Sequence, residues 1–359
     1  MQLATPHRAP VLHHAGYMTQ ARRATLRDVA RAAGVSQQTV SRVFTSPDLV
    51  APPTRSRVLS FVAELGYTPN EAARRLKSTG NTESPWGGVI GVLAHQLRAA
   101  GPASITTSAM RELQHSGYAL DVAYLDDDNA DTITSVMRRF STSTAGVLAM
   151  AQTTDARQAV LSVDLRVPLY IDEGLDRGTA DQPGTEERIG TAAAEHLRGQ
   201  GHRSVLHIPG PAGSLAATYR FQAFADASAR RGMSVRCTPA GDWSEQSGAK
   251  AMEHAPLGDA TALFAANDAM AIGALDALAR RGVRVPADIA VLGVDDIPAA
   301  AFVNPSLTSV AHNLDEQGRY AAQTLLRALG LDIEHAVDPR FGVSVRARAS
   351  TGCVEPRPA

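Results

Sequence analysis

The chain holds only two cysteines, Cys237 and Cys353, in 359 residues. Two thiols build neither a disulfide framework nor a thiolate metal cluster, so no metal site is expected, and their scarcity fits a reducing cytoplasm. Lysine is as rare: Lys77 and Lys250 stand alone among many arginines, a bias of coding composition rather than of chemistry. No apolar run approaches the roughly 20 residues that span a bilayer. The N-terminus, MQLATPHRAPVLHHAGYMTQ, lacks the sustained apolar core of a signal peptide. Catalytic signatures are missing too: there is no G-x-S-x-G, P-loop, H-E-x-x-H or cysteine pair at metal spacing. His196 and His202 flank a helix end without a third ligand and read as surface or capping residues. These absences argue against an enzyme and imply no cofactor.

Charge of one sign is lacking overall, with a net charge of -1, but it is unevenly placed. Residues 1–80 carry eleven Arg or Lys against four Asp or Glu, an excess of +7 that leaves −8 for the rest. A basic head on an acidic body is the footprint of a nucleic-acid-binding module joined to something else.

Thr25 is placed to cap LRDVARAAG, where Leu26, Val29, Ala30 and Ala33 recur at helical spacing and Gly34 stops the run. Ser36 then caps QQTVSRVF, in which Val40 and Val43, with Val35 just ahead, would face the first helix. Two short helices joined by a Gly-containing turn make a helix-turn-helix. A third helix is expected from about Pro53 to Leu65, with Val58, Leu59, Val62 and Leu65 on one face. In such a motif the second helix lies in the major groove. Gln37, Gln38 and Arg42 suit base edges, because Gln pairs with adenine and Arg with guanine. Ser36, Thr39 and Ser41 suit phosphates.

TLRDVARAAGVSQQTVSRVF, followed by RVLSFVAELGYTPNEAARRLKSTG, closely resembles the head of the lactose-repressor (LacI/GalR) family of bacterial transcription regulators. The match runs over roughly residues 25–80. The resemblance implies that Gln37, Gln38 and Arg42 read an operator and that Thr25, Ser36, Thr39 and Ser41 belong to the same interface. It also implies a hinge helix over Asn70–Lys77, contacting DNA through Asn70, Ala73, Arg74, Leu76 and Lys77. Leu76 alone would read as a buried helical residue; in the family its counterpart wedges into the minor groove and kinks the operator centre. Lys77 follows as in purine-type repressors, which implies a central CG step. Ala51 departs from the hydroxyl residue that usually caps the third helix, and Pro52-Pro53 would compensate by fixing φ.

From Val89 the texture changes to strands alternating with helices: GVIGVLAH, YALDVAYL, AGVLAM, VPLYID, SVLHIPG, ALFAAN and IAVLGVDD. That alternation implies parallel sheets, and the units are too many for one compact sheet, so two α/β lobes are expected. The landmarks EHLRGQGHRSVLHIPGP, GDWSEQSG, FAANDAMAIGALDALARRGVRVPADIAVLGVDD and NPSLTSV resemble the same family's periplasmic-binding-protein-like core. The expected fold is a small all-α helix-turn-helix head plus hinge helix, joined to that two-lobed α/β core. Boundaries follow: a disordered arm over 1–24, the head over 25–69, and the hinge and linker over 70–88. The core covers 89–351 (one lobe about 89–185 and 314–341, the other about 186–313 and 342–351), and 352–359 is a tail. Met1 and Met18 stand as alternative translation starts.

Such folds bind small ligands in the cleft at the carboxyl ends of their strands. His95, Asp172, Asn267 and Asp295 fall there, Arg220 lies after SVLHIPGP, and Trp243 sits in a loop. Carboxylates, an amide and a guanidinium suit paired hydroxyls, and an indole suits a sugar's C–H face. The resemblance matches these positions to the sugar site of the family's lactose repressor, Asp172 by a one-residue shift, and adds Pro102, Ile105, His312 and Leu314. Asp268 reads instead as a helix N-cap and Asp296 as a structural ion-pair partner.

The reading is a dimeric, cytoplasmic, nucleoid-associated repressor of carbohydrate-metabolism genes. It would bind a palindromic operator and be released by a mono- or disaccharide, with no membrane partner. The absence of a leucine-heptad tail after Thr351 points to a dimer rather than a tetramer. The rivals are a purine or other non-sugar effector, and a sugar-binding transport protein, which would have no use for a basic head.

Overall fold

The computed structural model describes residues 11–13, 26–45, 49–64, 88–174 and 183–352. Its first compact unit is three helices: α1 (Leu26–Ala33), α2 (Gln37–Thr45) and α3 (Pro52–Glu64). Gly34, at φ 64°, turns the chain out of α1, and the Val35 amide donates to the Ala30 carbonyl at 3.0 Å. The Ser36 hydroxyl accepts from the Thr39 amide at 3.1 Å and so caps α2. Val29, Ala30, Ala33, Val40, Val43, Val50 and Val58 form the core, with Val35, Phe61 and Val62 packed against it. Leu59, expected on the buried face of α3, is instead 44% exposed. The helical i, i+3, i+4 rule selects Val58, Phe61 and Val62, and Leu59 lies about 100° round the helix from the middle of that face. Without a hydroxyl cap, α3 opens on Pro52-Pro53, and the Ala51 carbonyl accepts from the Arg55 amide at 3.0 Å.

The body is two lobes. The first contains β2 (Val89–His95), α4 (Ala100–His115), β3 (Ala119–Leu125), α5 (Ala130–Ser143), β4 (Gly146–Met150), α6 (Thr154–Leu161) and β5 (Leu169–Asp172). With β1 (Val11–His13) at its edge, its sheet runs β1-β5-β4-β2-β3 and is parallel throughout. The edge strand β1 (Val11–His13) corrects part of the expected arm: Val11, Leu12 and His13 pair with Leu169, Tyr170 and Ile171. An open parallel edge has unpaired backbone groups, and a short apolar stretch satisfies them.

The second lobe contains α7 (Thr185–Gly199), β6 (Ser204–Ile208), α8 (Leu215–Arg230), β7 (Ser234–Cys237), α9 (Glu245–Glu253), β8 (Ala262–Ala265), α10 (Asp268–Arg280), β9 (Ala290–Val294) and β10 (Thr308–His312). The chain then returns to the first lobe as α11 (Leu314–Ala328), whose Ala321, Ala322, Leu325 and Leu326 pack with Ile105, Ala109 and Leu113. It crosses once more so that β11 (Val343–Arg346) pairs antiparallel with β10. The second sheet runs β11-β10-β9-β8-β6-β7. The chain therefore passes between lobes three times. Strands β7 and β11 are half-exposed edges with polar residues, which is why long apolar runs do not reveal them.

His207, on β6, is fully buried between Phe221 and Phe264, each with ring centroids 5.0 Å away. Its Nδ1 lies 2.8 Å from the Phe264 carbonyl and donates to it. Burial pushes the imidazole down to about 4. The unfolded chain takes up this proton near 6.5, so the stability held by the neutral ring is full above pH 6.5 and is lost as pH falls towards 4. Urea denaturation of the whole chain is expected to show a loss of up to roughly 3 kcal/mol from this group over that window. The slope should flatten in His207→Phe; equal slopes in the two proteins would contradict the assignment.

Candidate functional site

Two surfaces carry chemistry. On the head, Gln37, Gln38 and Arg42 are exposed on α2 while Val40 and Val43 are buried beneath them. Ser36 and Thr39 hydroxyls lie 2.9 Å apart, still at the surface. One apolar and one polar face therefore share this helix, as its spacing requires. Thr25, Asn70, Ala73, Arg74, Leu76 and Lys77 lie outside the described residues, as does the side chain of Ser41.

On the body, a cleft of about 470 Å³ opens between the lobes. The first lobe contributes Ala99, Gly101, Pro102, Ile105, Gln152, Gly174, Leu314 and Gln317. The second contributes Glu186, Ala216, Arg220, Trp243, Asn267, Asp295 and His312. Beside it the lobes join by backbone: the Thr154 amide donates to the Gly213 carbonyl at 3.1 Å, and the Leu215 amide to the Gln152 carbonyl at 3.2 Å.

Arg220 is the buried charge of the cleft, 4% exposed. Its Nε donates to Glu186 Oε2 at 2.7 Å and its Nη1 to the Ala266 carbonyl. Burial alone would lower the guanidinium's pKa, but Glu186, with Asp295 and Asp268 behind it, more than offsets this and raises it. Glu186 sits in the first turn of α7, where the helix dipole favours a carboxylate. Helices α7 and α8 meet closely because Gly190 has no side chain: a Cβ there would lie 2.3 Å from the Arg220 carbonyl oxygen. Trp243, held at φ 74°, has its ring over Gly210, where a Cβ would come within 2.4 Å. The guanidinium lies 5.9 Å from the indole centroid. Asn267 caps α10 by accepting from the Met270 amide at 2.9 Å, and its Nδ2 donates to the Trp243 carbonyl at 3.0 Å.

Across the second lobe's sheet end, Asp295 (φ 103°) accepts from His312 Nε2 at 3.1 Å. A carboxylate partner requires a proton on Nε2, so the neutral ring presents a bare Nδ1, and Gln317 Nε2 lies 2.9 Å from it to donate. This chain of bonds ties α11 of the first lobe to Asp295 of the second. Asp268 is fully buried, accepting from the Ser309 hydroxyl at 2.7 Å and the Ile297 amide at 2.9 Å. Burial, and then the neighbouring Asp295 charge, push its carboxyl well above the usual range.

Of the residues singled out from sequence, Pro102, Ile105, Arg220, Trp243, Asn267, Asp295, His312 and Leu314 line this cleft, and His95 and Asp172 do not. His95 is 1% exposed, and its Nε2 turns to Asp128 at 3.0 Å and the Asp127 carbonyl at 3.1 Å. Asp172 accepts from Gln152 Nε2 at 3.1 Å and the Gly174 amide at 2.7 Å, so it orients Gln152 from behind. Asp268 is not the N-cap of α10; Asn267 is. Asp296 pairs with Arg348 at 2.6 Å, a structural role. His196 bonds Thr351 and His202 bonds Thr261, each at 3.0 Å. No group of metal-ligating side chains occurs among the described residues. Sequence reasoning missed Glu186, Gln152 and Gln317; a glutamate in the first turn of the helix carrying Gly190 was the available signal for the first.

Gly190→Ala is expected to lower stability by about 1–3 kcal/mol through overpacking of α7 against α8. Thermal or urea denaturation reads this, and an unchanged stability would remove Gly190 from the account of how Arg220 is placed.

Comparison with known proteins covers both the head and the body. The model of bacterial regulatory proteins of the lacI family matches residues 25–70, and that of a periplasmic binding protein-like domain matches 194–351. The HTH-type transcriptional repressor PurR of Klebsiella pneumoniae (strain 342) is 32% identical over 320 residues, 84% of this chain and 89% of that protein. The lac repressor dimer bound to operator and the anti-inducer ONPF superposes with a TM-score of 0.63 at 26% identity, covering 92% of this chain and 99% of that one. The transcriptional regulator CelR in complex with cellobiose superposes with a TM-score of 0.60 at 28% identity, covering 91% and 100%. With its helix-turn-helix head and two-lobed core, this chain belongs to the lacI family of bacterial regulatory proteins and is a transcriptional regulator, not an enzyme.

Proposed function

We propose that this regulator represses carbohydrate-metabolism genes by binding a palindromic operator as a homodimer, and that a small sugar in the interlobe cleft releases it. The observation that carries the sugar is the lining itself. One indole, Trp243, stands with Pro102, Ile105 and Leu314 as an apolar frame, while Arg220, Asp295, Asn267, Gln152 and Gln317 surround it with donors and acceptors. Hydroxyl pairs need such mixed acceptors and donors, and sugar C–H faces need one aromatic surface. The CelR complex with cellobiose supports the same class. On the DNA side, Gln37, Gln38 and Arg42 read base edges, and Ser36, Thr39, Ser41 and Thr25 hold phosphates. Asn70, Ala73, Arg74, Leu76 and Lys77 serve as the hinge contacts, with Leu76 as the minor-groove wedge.

Release follows from linkage. A ligand that draws the lobes into one arrangement shifts the first lobe, from which the linker to the head departs, and the hinge elements of the two protomers then pair less well. Ligand and operator weaken each other by the same factor.

The PurR relatives favour a second reading, in which a purine occupies the cleft. Fluorescence anisotropy on an operator selected by the protein from random DNA separates the two. Cellobiose, galactose or a related sugar is expected to weaken operator binding, by roughly 5–150-fold at saturation. A change in operator binding with hypoxanthine or guanine, in either direction, and no response to sugars, would overturn the sugar reading.

A further inference from the structure

Glu186 is buried, lines the cleft and is used by nothing in the sequence-based account of the site. Its Oε2 takes the Arg220 Nε proton at 2.7 Å. Its Oε1 has no hydrogen-bond partner among the described residues, and neither does Arg220 Nη2; both belong to side chains that face the cleft. The result is an acceptor on Glu186 and a donor on Arg220, joined through one hydrogen bond and both on cleft-lining side chains of closely packed helices. Two adjacent hydroxyls of a ligand fit that arrangement, one donating to Oε1 and the other accepting from Nη2.

The charge around this pair points the same way. Among the described residues the ionisable lining comprises Glu186 and Asp295, both acidic, the guanidinium of Arg220, and the imidazole of His312 bonded to Asp295. Arg220 is therefore already paired with a carboxylate before any ligand arrives, and Asp295 adds a second carboxylate to the lining. Asp268 stands behind, within electrostatic reach of Arg220. An anionic ligand would meet two carboxylates in a partly desolvated cleft, with no unpaired arginine or lysine among the described lining residues to receive it.

We infer that Glu186 is a specificity-determining residue: by pairing with Arg220 and offering Oε1 together with Nη2, it makes the cleft select an uncharged vicinal diol and reject phosphorylated or carboxylated counterparts. This rests on the sugar reading for the diol, but the preference for uncharged over anionic ligands stands apart from it. The closing experiment separates the two.

Calorimetry on the full-length chain would compare cellobiose, galactose and glucose with glucose 6-phosphate and glucuronate, and hypoxanthine with urate, in wild type and in Glu186→Gln. In wild type each uncharged ligand that binds is expected to exceed its anionic counterpart by at least about tenfold. In Glu186→Gln, which keeps an acceptor for Nε but removes the charge, that ratio should fall by about tenfold or more as the anion gains. An anion binding wild type as tightly as its uncharged counterpart overturns the inference without any variant, so a Glu186→Gln protein that fails to fold does not protect it. A folded variant with an unchanged ratio overturns it as well. If hypoxanthine binds and no sugar does, the sugar reading falls while the hypoxanthine–urate pair still tests the charge preference.

Discussion

The Glu186–Arg220 pair is the constraint around which the body is organised. A guanidinium with 4% exposure stays charged, so its burial is costly unless a carboxylate meets it. Glu186 does so because α7 begins at the cleft, and α8 runs close enough because Gly190 removes the side chain between them. The other contact of the pair, the Ala266 carbonyl, lies at the end of β8. Three elements that are far apart in sequence are thus held to one point. Asn267, the next residue, caps α10 and fastens the Trp243 loop, so the aromatic wall is positioned by the same corner.

The opposite wall depends on the crossovers. Strand β10 ends at His312 in the second lobe and α11 begins at Leu314 in the first. Gln317, His312 and Asp295 therefore form a hydrogen-bonded line that changes lobes within a few residues. Any ligand touching Asp295 acts on a group whose orientation is set partly from α11. A cleft built this way reports occupancy to both lobes through bonds already in place. That is the physical requirement for coupling a small ligand to a DNA-binding head.

Much of this was legible in the sequence, for reasons that differ by region. The head reads well because its helices are short and local: Val40, Val43, Gly34 and Ser36 act within one or two turns of themselves. Leu59 departs from the expected face because it follows Val58 by about 100° round the helix, outside the stripe that Val58, Phe61 and Val62 bury. The parallel sheets were visible as long buried runs, whereas β7 and β11, half-exposed edges, were not. At the cleft, the rule that ligands sit at strand carboxyl ends found Asn267 and Asp295 but also admitted His95. That ring turns to Asp128 instead, a contact between residues 33 positions apart. Glu186, Gln152 and Gln317 escaped because each reaches the cleft only through lobe packing, helix start or crossover, which no local pattern encodes.

The most direct test of the central claim is a double-mutant cycle on Glu186→Gln and Arg220→Gln, read by urea denaturation of the whole chain. Each single change strands a charge in a buried corner, whereas the double change leaves two amides able to bond each other. The account predicts that the double variant is destabilised less than the sum of the singles, with a coupling of at least about 1 kcal/mol. Additive effects would show that the pair does not organise the cleft.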